Sequence, residues 1–469
     1  MRRHSSKVGV PKAALELSGV ELGDARRNAR ARKIIAKLET APRKSFPKLA
    51  ADDAELEAIY RFFSNEDVSW EAILKPHAEA TARRCQSEQR VLVVHDSSEF
   101  KFSGDREMPV LLNNTQGFLG HFSLAVSEGE HRTALGVLAM NPVFRAKREG
   151  SLNERKLKTR ATPREEKESA RWEGGVRAAA ELIGSQAQLI HVADQEADDY
   201  ALLSLLLQGG HRFVIRGSAE RLLRTRGGPK VRTALDAAEH RLFREVALTE
   251  RKGRPSGPQA KKSHPPREFR QAELHLRATT LTLERPLHAQ AEASEVPLNV
   301  VQVFEPSPPE GEPPVEWTLF TNESIETRED IERVVDAYRS RWTIEEYFKA
   351  VKTGCAFQSR QLGSKGALLN ALALTIPVAW RLLLLRSLGR RHPDLPATVL
   401  FTNKQLRLME LIATKVHLPK SPTVRDAMLV IAAIGGHLRR NGDPGWQTLA
   451  AGHEEFIRAE ALARTLGKM

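Results

Sequence analysis

The chain has 469 residues and a formal net charge of +13 at pH 7, with 41% hydrophobic and 28% charged residues. That length exceeds one simple core and predicts roughly two to four domains. The composition excludes a disordered chain, and the cationic excess points to a polyanionic partner, nucleic acid first. The two cysteines, Cys85 and Cys355, show no CxxC spacing and no clustered histidines. That argues against a zinc site or a disulfide scaffold and fits a reducing compartment. The N-terminus MRRHSSKVGVPK has no apolar stretch of the kind a signal peptide needs. Residues 367–385 are the most apolar segment, but Asn370, Pro377 and Arg381 interrupt it, so a buried core helix is expected rather than a membrane span.

Residues 1 to about 80 read as helical and basic. Asp24 is placed to cap a helix beginning ARRNARARKIIAKL. Arg26, Arg27, Arg30, Arg32 and Lys33 crowd its first turns, where cations oppose the helix dipole. A solvated charged helix or a phosphate partner accounts for this. Tyr60, Phe62, Phe63 and Trp70 are expected to pack one helix on another.

RVLVVHD, residues 90–96, predicts an apolar strand ending in Asp96. Read alone, that aspartate begins a turn. Residues 117–140 predict two or three strands with a turn around 127–130, and residues 164–182 a helix. LIHVAD, residues 189–194, predicts a second apolar strand ending in an aspartate, Asp194. Glu196 and Asp198 then fall at a helix N-terminus, a favourable place for carboxylates. ALLSLLLQGG reads as that helix and HRFVIRGS as a strand ending near Arg216. The lone histidines His95 and His121 receive no chemistry.

Residues 220–300 break the alternation of strand and helix. A Gly/Pro-rich basic linker spans 251–270, and QAELHLRATTLTL reads as a strand pair. NVVQVFE and VEWTLFTNE are strands on either side of a proline-rich loop. Trp317, on the second, reads from its strand pattern as a core residue.

Residues 336–354, DAYRSRWTIEEYFKAVKTG, predict one uninterrupted helix with Tyr338, Trp342, Ile344, Phe348 and Val351 at helical spacing and Gly354 as its C-cap. At ~100° per residue, Tyr338, Arg341, Glu345 and Lys352 share one face. Arg grips a phosphate bidentately and Lys supplies a point charge, so this face suits a carboxylate working beside a phosphate. An amphipathic helix with solvated charges has the same periodicity. ALLNALALTIPVAWRLLLLRSLGRR predicts a helix pair, and residues 403–469 are helical and amphipathic.

The order Y-x2-R-x3-E-x6-K, with Tyr338, Arg341, Glu345 and Lys352, resembles the signature around the catalytic glutamate of the bacterial insertion-sequence-four family of DDE cut-and-paste transposases. SSEF after Asp96, QEADDY after Asp194, and Lys167, Glu168, Ser169 and Trp172 before it are similar to that family's other motifs. GDARRNAR, AIYRFFSN and VSWEAI resemble its end-recognition domain.

The resemblance implies an α/β fold: an RNase H-like mixed sheet flanked by helices, with a β-rich insertion at about 220–315 and helical N- and C-terminal domains. It implies a DNA-end-binding domain over 1–80, a catalytic core over 81–375 and a dimerising C-terminal region over 376–469. Asp96, Asp194 and Glu345 would be the catalytic and metal-ligating residues, and the signature's register selects Glu345 over its neighbour Glu346. Three carboxylates at close range repel, so two Mg2+ ions ~3.5–4 Å apart, or Mn2+, would hold them together. Tyr338, Arg341, Lys352, Trp317, Arg216, Arg26, Arg27 and Arg30 would contact DNA, with Trp317 stacking on a flipped base.

The implied activity is binding of terminal inverted repeats, cleavage through a hairpin intermediate, and strand transfer into target DNA. The implied partners are double-stranded DNA and a second copy of the chain, with no membrane. The implied location is the bacterial cytoplasm, on the nucleoid when DNA is bound. An RNase H-like nuclease that cuts without integrating, or a DNA-binding regulator of transposition, are the alternatives.

Overall fold

The computed structural model describes residues 12–103, 115–129, 132–145, 151, 153–154, 157, 161–224, 227–248, 267–287, 289–413 and 415–467. The basic linker expected at 251–270 lies outside the described residues up to 266. The chain divides into two compact units. The first comprises Met1–Arg155, Gly174–Gln188 and Trp342–Met469, and the second Lys156–Glu173 and Leu189–Arg341.

The first unit opens with helices Ala25–Thr40, Asp53–Phe63 and Trp70–Cys85. Asp24 caps the first of these, its side chain accepting from the Arg26 backbone N–H at 2.6 Å. Asp52 and Ser69 cap the other two in the same way. Ile34, Ile35 and Leu38 turn inward. The Phe46 and Phe63 rings meet at 4.9 Å. Phe62 and Phe63 are buried, whereas Tyr60 and Trp70 are half-buried.

Three strands follow: β1 (Arg90–Phe102), β2 (Gln116–Ser127) and β3 (Ala134–Val143). β1 pairs antiparallel with β2 from Val91↔Ser127 to Phe102↔Gln116, and β2 pairs antiparallel with β3. The strand expected to end at Asp96 therefore runs on to Phe102. The cause is visible in SSEFKF: Phe100 and Phe102 alternate with Glu99 and Lys101. Both rings are buried, packing on Phe118 and on the edge of Phe357. Asp96 is a mid-strand residue facing Phe122 of β2 in the register.

The segment expected as a helix pair is one helix of 27 residues, Lys365–Arg391, with Pro377 inside it. An interior proline costs a helix ~3 kcal/mol. Here Leu and Ala side chains are buried around nearly the whole circumference, and that packing outweighs the lost hydrogen bond. The polar residues that interrupt its apolar run act as ties. Asn370 donates to the carbonyls of Phe63 at 3.1 Å and Val68 at 3.0 Å, and Arg381 pairs with Glu39. The helix is buried, as the sequence predicts.

Three helices close this unit: Asn403–Ile412, Val424–Ile434 and Trp446–Thr465. The last two touch backbone to backbone. A Cβ on Gly452 would stand 1.7 Å from the Ile431 carbonyl oxygen, and one on Gly435 1.9 Å from that of Thr448. Only glycine permits this approach.

The second unit contains β4 (Gln188–Ala193, of which Gln188 belongs to the first unit), β5 (Arg212–Gly217), β6 (His240–Leu248), β7 (Arg270–Glu284), β8 (Glu295–Phe304) and β9 (Glu316–Thr321). β4 and β5 are parallel; β5, β9, β8, β7 and β6 then follow as antiparallel neighbours. β6 to β8 form the expected β-rich insertion between β5 and β9. QAELHLRATTLTL, expected as two strands, is one long strand, β7, because β8 pairs with it continuously from His275↔Phe304 to Glu284↔Glu295. Asp199, rather than Glu196 or Asp198, caps the helix Tyr200–Gln208, while Asp198 accepts from the Ser218 N–H and pairs with Arg221. The helix Arg328–Ser340, started by a Thr327–Asp330 capping box, packs on β5, β8 and β9.

The architecture is thus mixed α/β, with mostly antiparallel strands flanked by helices and helical N- and C-terminal regions, as the family resemblance implies. The antiparallel meander of β1 to β3 and the parallel pair of β4 and β5 are strand pairings expected of an RNase H-like sheet.

Candidate functional site

The stretch 336–354 is not one straight helix. The helix Arg328–Ser340 ends in a tight turn where the Arg341 N–H donates to the Tyr338 carbonyl at 3.0 Å. A second helix runs over Trp342–Lys349. Ala350–Gly354 is then a π-helix, closed by the Cys355 N–H donating to the Ala350 carbonyl at 2.7 Å. The left-handed residue beyond it is Ala356, with φ 48°, and not the expected C-cap Gly354. A π turn adds a residue to the repeat, so Lys352 leaves the angular series that a uniform helix predicts. Tyr338 and Arg341 belong to the second unit, Glu345 and Lys352 to the first.

In the first unit, Asp96 is half-buried and its Oδ1 accepts from the Ser97 N–H at 2.7 Å. Glu345 is half-buried in the first turn of the helix Trp342–Lys349, which packs against β1. Its neighbour Glu346 is otherwise employed, accepting from Lys349 at 2.7 Å and pairing with Arg386 of the long helix. Those cations outweigh partial burial and hold the Glu346 carboxyl below its ordinary value. Lys352 is half-buried, and its Nζ donates to Ser98 Oγ at 2.7 Å. Burial pushes its amine down to about 8, against the opposing charge of Glu99.

In the second unit, Asp194 follows the last residue of β4, and its Oδ1 accepts from the Glu196 N–H at 2.9 Å. The same unit gathers four of the expected DNA-contact residues, Arg216, Trp317, Tyr338 and Arg341, whereas Lys352, Arg26, Arg27 and Arg30 lie in the first. The Trp317 and Tyr338 rings meet edge to face at 5.4 Å, and the Arg341 guanidinium stands 6.0 Å from the Tyr338 ring. Arg216 donates to the Glu316 carbonyl at 3.4 Å. Burial raises the Tyr338 phenol above its ordinary value; Arg341 and Arg216 pull it back, and Asp194 adds to the rise. Asp194, Arg216 and Arg341 therefore each act on Tyr338, and Trp317 packs against it. Trp317 is half-buried on β9, not enclosed in the core.

On the first helix, Arg26 is exposed and pairs with Asp24 at 3.1 Å. Arg27 is anchored to the Leu22 carbonyl at 3.2 Å and to Asp67. Arg30 is half-buried. Two features escaped the sequence reading. Trp342, expected on the apolar face, is 52% exposed because it starts a new helix. Ser98 carries no motif of its own; its partnership with Lys352 arises only from folding.

Among the described residues no three His, Cys, Asp or Glu side chains stand together as a ready-made metal site. Asp96 and Glu345 belong to one unit and Asp194 to the other. Each of the three is a half-buried carboxylate, an oxygen donor of the kind that hard cations such as Mg2+ or Mn2+ take.

A mixed α/β chain with a basic capped helix at one end and an arginine–aromatic cluster beside a carboxylate has the chemistry of a protein that handles a polyanion. Two comparisons narrow this. Residues 12–68 match the family model described as transposase DNA-binding, and residues 377–466 match the one described as transposase Tn5 dimerisation domain. Together they support a Tn5-like transposase that binds DNA and dimerises.

Proposed function

We propose that the chain is a DDE transposase that binds the terminal inverted repeats of a mobile element, cleaves the DNA through a hairpin intermediate and joins the freed ends to target DNA. In this reading residues 1–80 bind the ends, 81–375 form the catalytic core and 376–469 make the contact with a second copy. The observation that carries the reading is the docking of the helix bearing Glu345 on the strand bearing Asp96. Asp194, just beyond the end of β4, is the third acid.

Asp96, Asp194 and Glu345 would hold the divalent ions. When bound, such ions activate water or a 3′ hydroxyl and stabilise the leaving oxygen in an in-line displacement at phosphorus. Arg341 and Arg216 grip phosphate oxygens and Lys352 adds a point charge. Trp317 offers its face to an extrahelical base, a contact worth ~1–3 kcal/mol, and the edge-to-face contact with Tyr338 steadies the indole. Neutralising phosphates with these cations predicts an affinity that falls as salt rises.

Protein, Mg2+, end-sequence DNA and a target plasmid incubated together test this reading. Joined end–plasmid products are expected. Cleaved ends without joining would indicate a nuclease, and binding without cleavage a regulator; either result contradicts the proposal.

A further inference from the structure

The π-helix at Ala350–Gly354 delivers Lys352 onto β1. Its Nζ donates to Ser98 Oγ at 2.7 Å and lies 5.2 Å from the centre of the Phe100 ring. The chain just beyond is pinned to the same strand. Gln358 Nε2 donates to the Lys101 carbonyl at 3.1 Å, and the Phe357 ring meets Phe100 at 5.7 Å and Phe102 at 5.9 Å. Ser98 is two residues along the strand from Asp96, so both side chains leave β1 on one face. The charged neighbours are Glu99 and Lys101, which pair with each other at 2.8 Å; Arg145 also reaches Glu99, at 3.6 Å.

We propose that Ser98 is a positioning residue: its hydroxyl fixes the Lys352 ammonium over the Asp96 face of β1, where the scissile phosphate of bound DNA is received. A serine suits this task better than a carboxylate would. Its neutral oxygen accepts one N–H, leaves the remaining N–H donors of the ammonium for phosphate, and does not cancel the charge. The stiff strand and the ring stack behind it fix the location, while the π turn supplies the reach that an α-helical turn would not give. The role rests on the reading of the chain as a DNA-cleaving enzyme.

Competitive acylation of lysines in the full-length protein, read residue by residue by mass spectrometry across pH, tests the contact without requiring activity. The wild-type Lys352 midpoint is expected at about 8. In Ser98→Ala it should move, and in Ser98→Thr, which keeps the hydroxyl, it should return. Single-turnover cleavage at saturating end DNA is expected to fall about tenfold in Ser98→Ala, equivalent to ~1.4 kcal/mol, and to recover in Ser98→Thr. An unmoved Lys352 midpoint in Ser98→Ala overturns the proposal, and so does an unchanged cleavage rate. Wild-type protein that cleaves no DNA refutes the functional reading instead, and the labelling still judges the contact.

Discussion

Glu345 and Glu346 are adjacent acids with opposite expected roles, and replacing each by glutamine separates chemistry from stability. Glu346 is paired with Arg386 across two helices, both side chains only 14% exposed. Arg386 also lies over the Trp446 ring, 4.8 Å from its centre. Exposed ion pairs contribute ~0–1 kcal/mol, and breaking a fully buried one costs ~3–5 kcal/mol. Glu346→Gln keeps an acceptor and loses the charge, so about 2 kcal/mol is expected. For a unit of this size that is a fall in Tm of about 3 °C. Its DNA cleavage at a temperature where it remains folded should stay within a few-fold of wild type. Glu345→Gln should do the reverse, leaving Tm within about 1 °C, since it removes neither that pair nor core volume, while abolishing metal-dependent cleavage. Thermal unfolding by circular dichroism and an end-cleavage gel decide the matter. An active Glu345→Gln protein, or a folded but inactive Glu346→Gln protein, refutes the assignment of the third acid.

Trp317→Ala should spare the first nick and slow hairpin formation by about tenfold or more, in line with a base stack of ~1–3 kcal/mol; normal hairpin yield on a denaturing gel would exclude that role. Glu55, held by Lys33, Lys37 and the Ala51 N–H, has its carboxyl pushed down from 4.5 to about 2. Its stabilisation of the N-terminal helices is complete above the ordinary value and is lost as pH falls from 4.5 toward 2. Because Lys33 is largely exposed, about 1 kcal/mol is expected. Denaturant unfolding of wild type should then show a drop over that window that Glu55→Gln lacks; identical curves would remove Glu55 from the account. Gly452→Ala drives a methyl into the Ile431 carbonyl, which should separate the last two long helices at a cost of roughly 3 kcal/mol and lower the dimer fraction in analytical ultracentrifugation. An unchanged dimer would mean that this helix pair is not what presents the dimer surface.

What the sequence made legible was local. Asp24 before an alanine-rich helix and Asp194 after an apolar β-branched strand each announce themselves within a few residues, and both stand where expected. The features that escaped depend on partners distant in the chain. SSEFKF carries charges at alternate positions, and only the β2 ladder and Phe357 show that its phenylalanines extend β1. Pro377 marks a break in any isolated helix, yet burial on all sides carries the helix through it. The π turn and the interruption at Arg341 have no propensity signal, so equal angular steps placed four residues on one face that the fold shares between two units. Trp342 reads as apolar filling in a continuous helix and becomes exposed once the helix is divided. The candidate acids were legible as types at strand and helix positions; no local pattern encodes a meeting of residues so far apart in the chain.

The account turns on three carboxylates sharing divalent metal. Electron paramagnetic resonance counts Mn2+ bound to the protein–DNA-end complex directly. Two ions per active site are expected in wild type, with occupancy lost in each of Asp96→Ala, Asp194→Ala and Glu345→Ala while DNA-end binding persists. The same full occupancy in all three variants would contradict it.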